Sequence, residues 1–242
     1  MSNLKTKLTD LLFPKTCEYC GNSFEEGLSN ILCSACFASI TPYEDPVCEH
    51  CGTSLPMRAF EETAKPRCRD CGEEEYHLNQ ARSFGPYQGQ IRIIHHAFKF
   101  EGMENLCQPM AIKMLEAIPG FFWNGIEAFV PVPLSHEKLR ERGYNPACHL
   151  AKMLSAHVGR PVRQLLKKVR SIPAQMSLTR EERFKNPKGA YRVQEGEPMP
   201  GRVVVVDDVY TTGATLEECA KVLKNAGVQW VGAVVFGRTP HR

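Results

Sequence analysis

The stretch Val203-Val204-Val205-Val206-Asp207-Asp208-Val209-Tyr210-Thr211-Thr212-Gly213-Ala214-Thr215 runs from four β-branched apolar residues into two carboxylates and then a Thr/Gly-rich loop. An unbroken apolar run of that length reads as a strand buried on both faces, as in parallel sheets covered by helices. Leu216, Cys219, Ala220, Val222, Leu223 and Ala226 then recur at helical spacing before Gly227, which predicts an amphipathic helix with a glycine stop. The order strand, acidic pair, loop, helix predicts an α/β domain with a ligand at the carboxyl end of its strands.

Each part of that order has a chemical use. Unpaired amides and the positive dipole end at a helix N-terminus attract a phosphate, threonine hydroxyls add donors, and glycine lets the backbone approach the anion. Two adjacent carboxylates would repel a phosphate but accept hydrogen bonds from sugar hydroxyls. The template is a ribose 5-phosphate, with hydroxyls on Asp207 and Asp208 and phosphate on residues 211 to 215. The stretch resembles the phosphoribosyl-pyrophosphate (PRPP) signature of type I phosphoribosyltransferases. That resemblance implies catalytic roles for Asp207 and Asp208 and PRPP binding by Val209, Tyr210, Thr211, Thr212, Gly213, Ala214 and Thr215. It also implies Mg²⁺ bridging pyrophosphate and ribose oxygens.

The chain has 242 residues, 43% apolar content and a formal charge of +3, enough for one ordinary domain and a small module, with no charge signal for a particular partner. No segment approaches the ~18 consecutive apolar residues of a membrane span. Lys5, Lys7 and Asp10 interrupt the N-terminal apolar pattern, so no signal peptide is predicted and a cytoplasmic location without membrane insertion is expected.

Eight of the eleven cysteines form four Cys-x-x-Cys pairs before residue 72: Cys17/Cys20, Cys33/Cys36, Cys48/Cys51 and Cys68/Cys71. Such a turn places two thiolates on one knuckle, and two knuckles complete a Cys₄ zinc site. Glycine follows the second cysteine at Gly21, Gly52 and Gly72, suiting the tight turn beneath a metal. Two structural Zn²⁺ sites are expected, because so short a segment with few large apolar side chains must draw folding free energy from metal. Sequential pairing closes the shorter loops, and interleaving the first pair with the third is the alternative. His50 and His77 read as surface residues rather than ligands, since both quartets are complete without them.

Elsewhere the spacing predicts a short helix over residues 4 to 13, a small hairpin beginning at residue 81, and helices over 91 to 100, 103 to 118 and 146 to 158. Residues 128 to 145 read as a short strand entering a proline-bracketed basic loop. Phe84, Tyr87, Phe98 and Phe100 beside Arg82, Arg92 and Lys99 form a faint version of a single-strand stacking platform, and Arg58, Lys65, Arg67 and Arg69 lie near the second cysteine quartet.

Val130-Pro131-Val132-Pro133 and Arg142-Gly143-Tyr144-Asn145, taken with the PRPP signature and the paired cysteines, resemble the ComF family of competence proteins. Pro146 stands where that family has glutamine, and proline is compatible with a helix's first turn. Residues 165 to 191 resemble the family's basic lid. The resemblance implies a type I phosphoribosyltransferase fold, a mainly parallel twisted sheet with a small hood around residues 81 to 100. It implies pyrophosphate contacts from Arg142, Arg180, Arg183 and Lys185. The expected division is residues 1–75 for the helix and double zinc ribbon and 76–242 for the phosphoribosyltransferase-like domain. The implied function is PRPP binding in DNA uptake and natural transformation, with single-stranded DNA and the uptake machinery as partners. A non-catalytic DNA-binding protein regulated by PRPP, and a nucleotide-salvage enzyme, are the alternatives. No nucleobase motif is legible, so the acceptor is not named.

Overall fold

The computed structural model describes residues 15–57, 66–72, 74–170 and 187–240. The helix expected over 4 to 13, Arg58 and Lys65, and the lid residues Arg180, Arg183 and Lys185 lie outside them. In chain order the elements are β1 (Lys15–Thr16), β2 (Ser23–Phe24), β3 (Gly27–Leu28), β4 (Leu32–Cys33), α1 (Ser34–Ala38), β5 (Gln80–Pro86), α2 (Gly89–Phe100), α3 (Cys107–Ala117), β6 (Ala128–Pro131), α4 (His136–Arg142), α5 (Pro146–Val158), β7 (Leu166–Lys168), β8 (Tyr191–Val193), β9 (Arg202–Tyr210), α6 (Ala214–Asn225) and β10 (Trp230–Arg238). Short 3₁₀ turns at Glu104–Leu106 and Gly120–Trp123 flank α3.

Four strands form the principal sheet in the order β5-β10-β9-β6, and every neighbouring pair is parallel. The quoted apolar run lies within β9, whose Val203, Val204, Val205 and Val206 are fully buried. Val203 and Val205 share a buried cluster with Leu216, Cys219, Ala220 and Leu223 of α6. Strand alternation therefore turns Val204 and Val206 to the opposite face. Helices α3 and α5 pack on each other and on the strands, and α6 packs on β9, β10 and β8. Burying each valine contributes about 1.5–3 kcal/mol, so β9 is a strongly fixed element from which a site can be hung.

Contacts divide the chain into two compact units, Met1–Thr41 with Gln88–Leu106, and Pro42–Tyr87 with Cys107–Arg242. In this grouping the two cysteine quartets fall in different units. The first cysteine quartet shares its unit with α2, where Gln90 Nε2 donates to Ser39 Oγ at 3.2 Å. The second quartet shares its unit with the parallel sheet, because residues 43 to 52 lie along the open side of β5. Ala81 N donates to the His50 carbonyl at 2.6 Å and Tyr43 N to the Phe84 carbonyl at 2.8 Å. An uncovered edge strand is a site of unwanted pairing, and the ribbon covers this one.

Three expectations are corrected by the structure. The hairpin predicted from residue 81 is absent: residues 80 to 86 form β5, paired in parallel with β10, and the turn signals at Gly85-Pro86 and Gly89 mark a strand end and a helix start. The hood placed at residues 81 to 100 is accordingly split between the sheet and the other unit's helix α2. The proline-bracketed basic loop is largely helix α4, capped at its start by Ser135 Oγ accepting from Lys138 N and ended by Gly143 at φ 80°. The helices predicted over 103 to 118 and 146 to 158 are present as α3 and α5.

Truncating Leu223, fully buried on α6, is expected to lower unfolding free energy in urea by about 2–5 kcal/mol. Lys221→Ala, on the exposed side of the same helix, should change it by less than about 0.5 kcal/mol.

Candidate functional site

Strand β6 ends at Pro131, opposite Val206, so Asp207 and Asp208 extend past their neighbour on that side of the sheet. On the other side β10 continues alongside, pairing Val209 with Gly237 and Tyr210 with Arg238. The strand therefore runs through the acidic pair to Tyr210. Asp207 is half-buried and its Oδ1 accepts from Asp208 N at 2.9 Å, while Asp208 is 5% exposed. Thr211 and Thr212 turn the chain, and Gly213 at φ 81° is the N-cap of α6. Thr212 Oγ1 accepts from Ala214 N at 3.4 Å, and Gly213 O accepts the first helical bond from Glu217 N at 2.9 Å. The remaining first-turn amides and the helix dipole face this loop, the arrangement that receives a phosphate.

Gly213 is required twice over. Its φ is left-handed, and a Cβ there would stand 2.2 Å from the Tyr210 hydroxyl oxygen. The tyrosine ring thus occupies the space beside the loop that any other residue would need.

Cations gather at the same end of the sheet from two further elements. Lys168, the last residue of β7, is half-buried with Nζ 5.4 Å from the Tyr191 ring centre. Burial pulls its ammonium below the ordinary lysine range and the charge of Lys138 on α4 adds to that, while the Asp207 carboxylate opposes both. Those influences place Lys138 and Asp207 each within electrostatic reach of Lys168. Arg142 follows Lys138 by four residues on α4, so the two share a helix face. Tyr191, on the partner strand of β7, is buried and hydrogen-bonds Thr215; burial first, then the charges of Cys219 and Asp207, pushes its hydroxyl well above the ordinary range.

The residues flanking the basic lid segment form this antiparallel β7–β8 ribbon, which pairs Lys168 with Tyr191 at the ends nearest residues 171–186. An open cavity of about 540 Å³ lies elsewhere, between the ribbon and the far end of α6, lined by Lys167, Arg192, Glu195, Val222 and Asn225 among others. It does not include the acidic pair or the Thr/Gly loop.

Arg142-Gly143-Tyr144-Asn145 has a local structural account. Gly143 ends α4, Tyr144 is buried, and Asn145 caps α5 by accepting from Ala147 N at 3.1 Å. Asn145 Nδ2 also donates to the Val132 carbonyl at 3.0 Å, tying the start of α5 to the Val-Pro-Val-Pro turn. Pro146 occupies the first helical turn, where its missing N–H is no loss.

The cysteines group sequentially, Cys17, Cys20, Cys33 and Cys36 in one cluster and Cys48, Cys51, Cys68 and Cys71 in the other. All ligand sulfurs in each cluster lie within 4.8 Å of one another, with Cys51 and Cys68 Sγ 3.6 Å apart and Cys20 and Cys33 Sγ 4.0 Å apart. Four Zn–S bonds of about 2.3 Å in a tetrahedron need spacings of that size. The knuckles close as anticipated, with Gly21 N, Gly52 N and Gly72 N donating to the carbonyls of Cys17, Cys48 and Cys68. In the second cluster, hydrogen bonds from Cys51, Cys68 and Cys71 hold the Cys48 thiol far below its ordinary range, and those with Cys48, Cys51 and Cys68 push Cys71 up. Four sulfurs so close cannot all ionise without a cation among them, and a divalent one fits. The clusters differ in setting: Cys20 is exposed, whereas all four cysteines of the second are buried.

Several surface expectations fail on burial. His50 is 3% exposed and stacks on Tyr76 at 3.9 Å between ring centres. Phe84, Phe98 and Arg82 are buried, which removes most of the expected stacking platform; Phe100 alone of the three phenylalanines is exposed, at 61%. His77 is exposed, as expected. Lys168 and Tyr191 were not singled out by the sequence, where Lys168 is one of many cations between residues 163 and 188.

Among the described residues no helix is long and apolar enough to cross a membrane. Two family models match the chain, a double zinc ribbon domain over residues 8–72 and a phosphoribosyl transferase domain over residues 141–242. Competence protein F of Haemophilus influenzae is 32% identical over 207 residues, covering 83% of this chain and 87% of its own. Competence protein ComFC of Bacillus subtilis is 26% identical over 202 residues, covering 81% and 79%. DNA utilization protein YhgH of Salmonella typhimurium is 27% identical over 216 residues, covering 86% and 90%. With its double zinc ribbon, its phosphoribosyltransferase domain and that likeness along most of its length, the chain belongs to the ComF family of competence proteins.

Proposed function

We propose that this protein binds PRPP at the carboxyl end of β9 and acts in DNA uptake. The observation that carries the ligand is the joint placement of Asp207, Lys168 and the Gly213–Ala214 helix start at one end of the parallel sheet. Asp207 and Asp208 would take the ribose hydroxyls, the 211–215 loop the 5-phosphate, and Lys168, Lys138 and Arg142 the pyrophosphate. Arg180, Arg183 and Lys185 would complete the pyrophosphate contacts from the lid segment. The names of its relatives, competence protein F and DNA utilization protein, support the place in DNA uptake.

The two carboxylates supply the hard oxygen donors that suit Mg²⁺, which would otherwise be held by PRPP oxygens and water and would neutralise charge on the departing pyrophosphate. In a transfer reaction the C1–O bond to pyrophosphate breaks as an acceptor bonds to C1. The carboxylates would offset positive charge growing on the ribose, and the cations would stabilise the leaving anion.

Calorimetry should show Mg²⁺-dependent PRPP binding by the full chain. Each of Asp207→Asn and Asp208→Asn should weaken it about 10- to 100-fold, the effect of losing a charge-assisted hydrogen bond of ~1.5–3 kcal/mol. Binding indifferent to both substitutions would remove the assignment. Pyrophosphate release on adding nucleobases or single-stranded DNA would mark a transferase, and tight PRPP binding without release would mark a regulatory ligand. Metal analysis of the purified chain should return two zincs, one for each cysteine cluster.

A further inference from the structure

The phosphate loop is flanked by Tyr210, which shares a buried core with the second cysteine cluster, and by Glu217, which the segment leaving that cluster engages. On the strand side, Tyr210 is 7% exposed and its ring lies over the backbone at Gly213, with the Arg238 guanidinium 4.5 Å from the ring centre on top. Tyr210 and Leu216 share one buried cluster with Cys48, Cys51, Cys68 and Cys71. Burial pushes the Tyr210 hydroxyl well above its ordinary range; Arg238 opposes this, and Cys51, Cys71 and Tyr76 add to it.

On the helix side stands Glu217, in the first turn of α6. Its Oε1 accepts from His77 N at 2.8 Å and meets His77 Nδ1 at 2.7 Å, and its Oε2 accepts from Leu78 N at 3.0 Å. Both oxygens are thus engaged by the segment that leaves Cys71. That segment is itself seated on the ribbon: the Tyr76 ring stacks on His50, beside Cys51, at 3.9 Å between ring centres, and its hydroxyl donates to Glu74 Oε2 at 3.2 Å and lies 3.5 Å from the Cys71 carbonyl. A carboxylate one turn from a phosphate site would repel the anion if it were free to turn toward it. Three donors hold it the other way.

We infer that Tyr210 and Glu217 are positioning residues through which the metal in the second cysteine cluster sets the shape of the phosphate loop, while the first cluster does not. The part concerning affinity rests on the PRPP reading; the part concerning the loop does not. A ribbon that folds on its metal fixes residues 76 to 78 and the surroundings of Tyr210, and these fix the backbone from 210 to 217. Such coupling is reciprocal, so anything that loosens the loop also loosens the second metal.

The test uses the full, zinc-loaded chain with three measurements: hydrogen exchange of amides 211–216, the rate at which a chelator removes each zinc, and PRPP affinity. Glu217→Ala should keep both zincs, speed exchange of those amides about tenfold, speed removal of one zinc about tenfold, and weaken PRPP by a similar factor. Glu217→Gln, which keeps one acceptor, should restore part of each effect, and Tyr210→Ala should act in the same direction as Glu217→Ala. Cys20→Ser should lose one zinc yet leave loop exchange and PRPP affinity within about twofold of the parent. Glu217→Ala and Tyr210→Ala with unchanged loop exchange and zinc release would overturn the inference, as would a Cys20→Ser effect on the loop equal to theirs. If the parent fails to bind PRPP, the ligand reading falls, while exchange and zinc release still decide the coupling. If Glu217→Ala does not fold, the graded comparison of Glu217→Gln with the parent decides it.

Discussion

A parallel sheet has two edges, and each needs a partner for its backbone groups. On one edge of this sheet, β6 is covered by residues 161 to 163, with Phe129 N donating to the Pro161 carbonyl and Arg163 N to the Phe129 carbonyl, both at 2.9 Å. On the other, β5 is covered by the second zinc ribbon through the bonds to His50 and Tyr43. Gly52 is pressed so close to this strand that a Cβ would meet the Ala81 carbonyl oxygen at 2.7 Å. The metal cluster is therefore part of the wall of the sheet, and the buried strands behind it depend on the ribbon holding its shape.

That arrangement separates two ribbons that look alike in sequence. The first belongs with α2 in its own compact unit and leaves Cys20 at the surface. The second has its four sulfurs buried in the cluster that also contains Tyr210, Leu216 and Val203 and Val205 of β9. Carboxylates and helix start meet where β9 outruns β6, and under the PRPP reading these would supply the hydroxyl acceptors and the phosphate donors.

What was legible in the sequence was local. β9, α5 and α6 announce themselves through unbroken or helix-spaced apolar residues and their caps, and the cysteine pairs through fixed spacing. The acidic pair and Thr/Gly loop needed only their order along the chain. What was hidden was non-local. β5 pairs with a strand near the other end of the chain, so Gly85-Pro86 and Gly89 resembled hairpin turns. Lys168 lies in a run crowded with lysine and arginine, and only the pairing of β7 with β8 brings this one beside Tyr191 and within electrostatic reach of Asp207. His50 looked like a surface residue because nothing in the local pattern reveals its stack on Tyr76. The grouping of the second ribbon with the sheet follows from backbone bonds at Ala81 and Phe84 that no periodicity encodes.

The claim that the second metal cluster is built into the sheet can be read directly from tryptophan fluorescence during zinc removal. The chain's two tryptophans lie in the unit of the sheet, Trp123 after α3 and Trp230 in β10, where Arg202 stands 4.3 Å over its ring centre. With zinc release and fluorescence followed together as chelator is added, the spectrum should change in step with one zinc equivalent and stay constant during the loss of the other. Removal of both equivalents with the native fluorescence intact would contradict it.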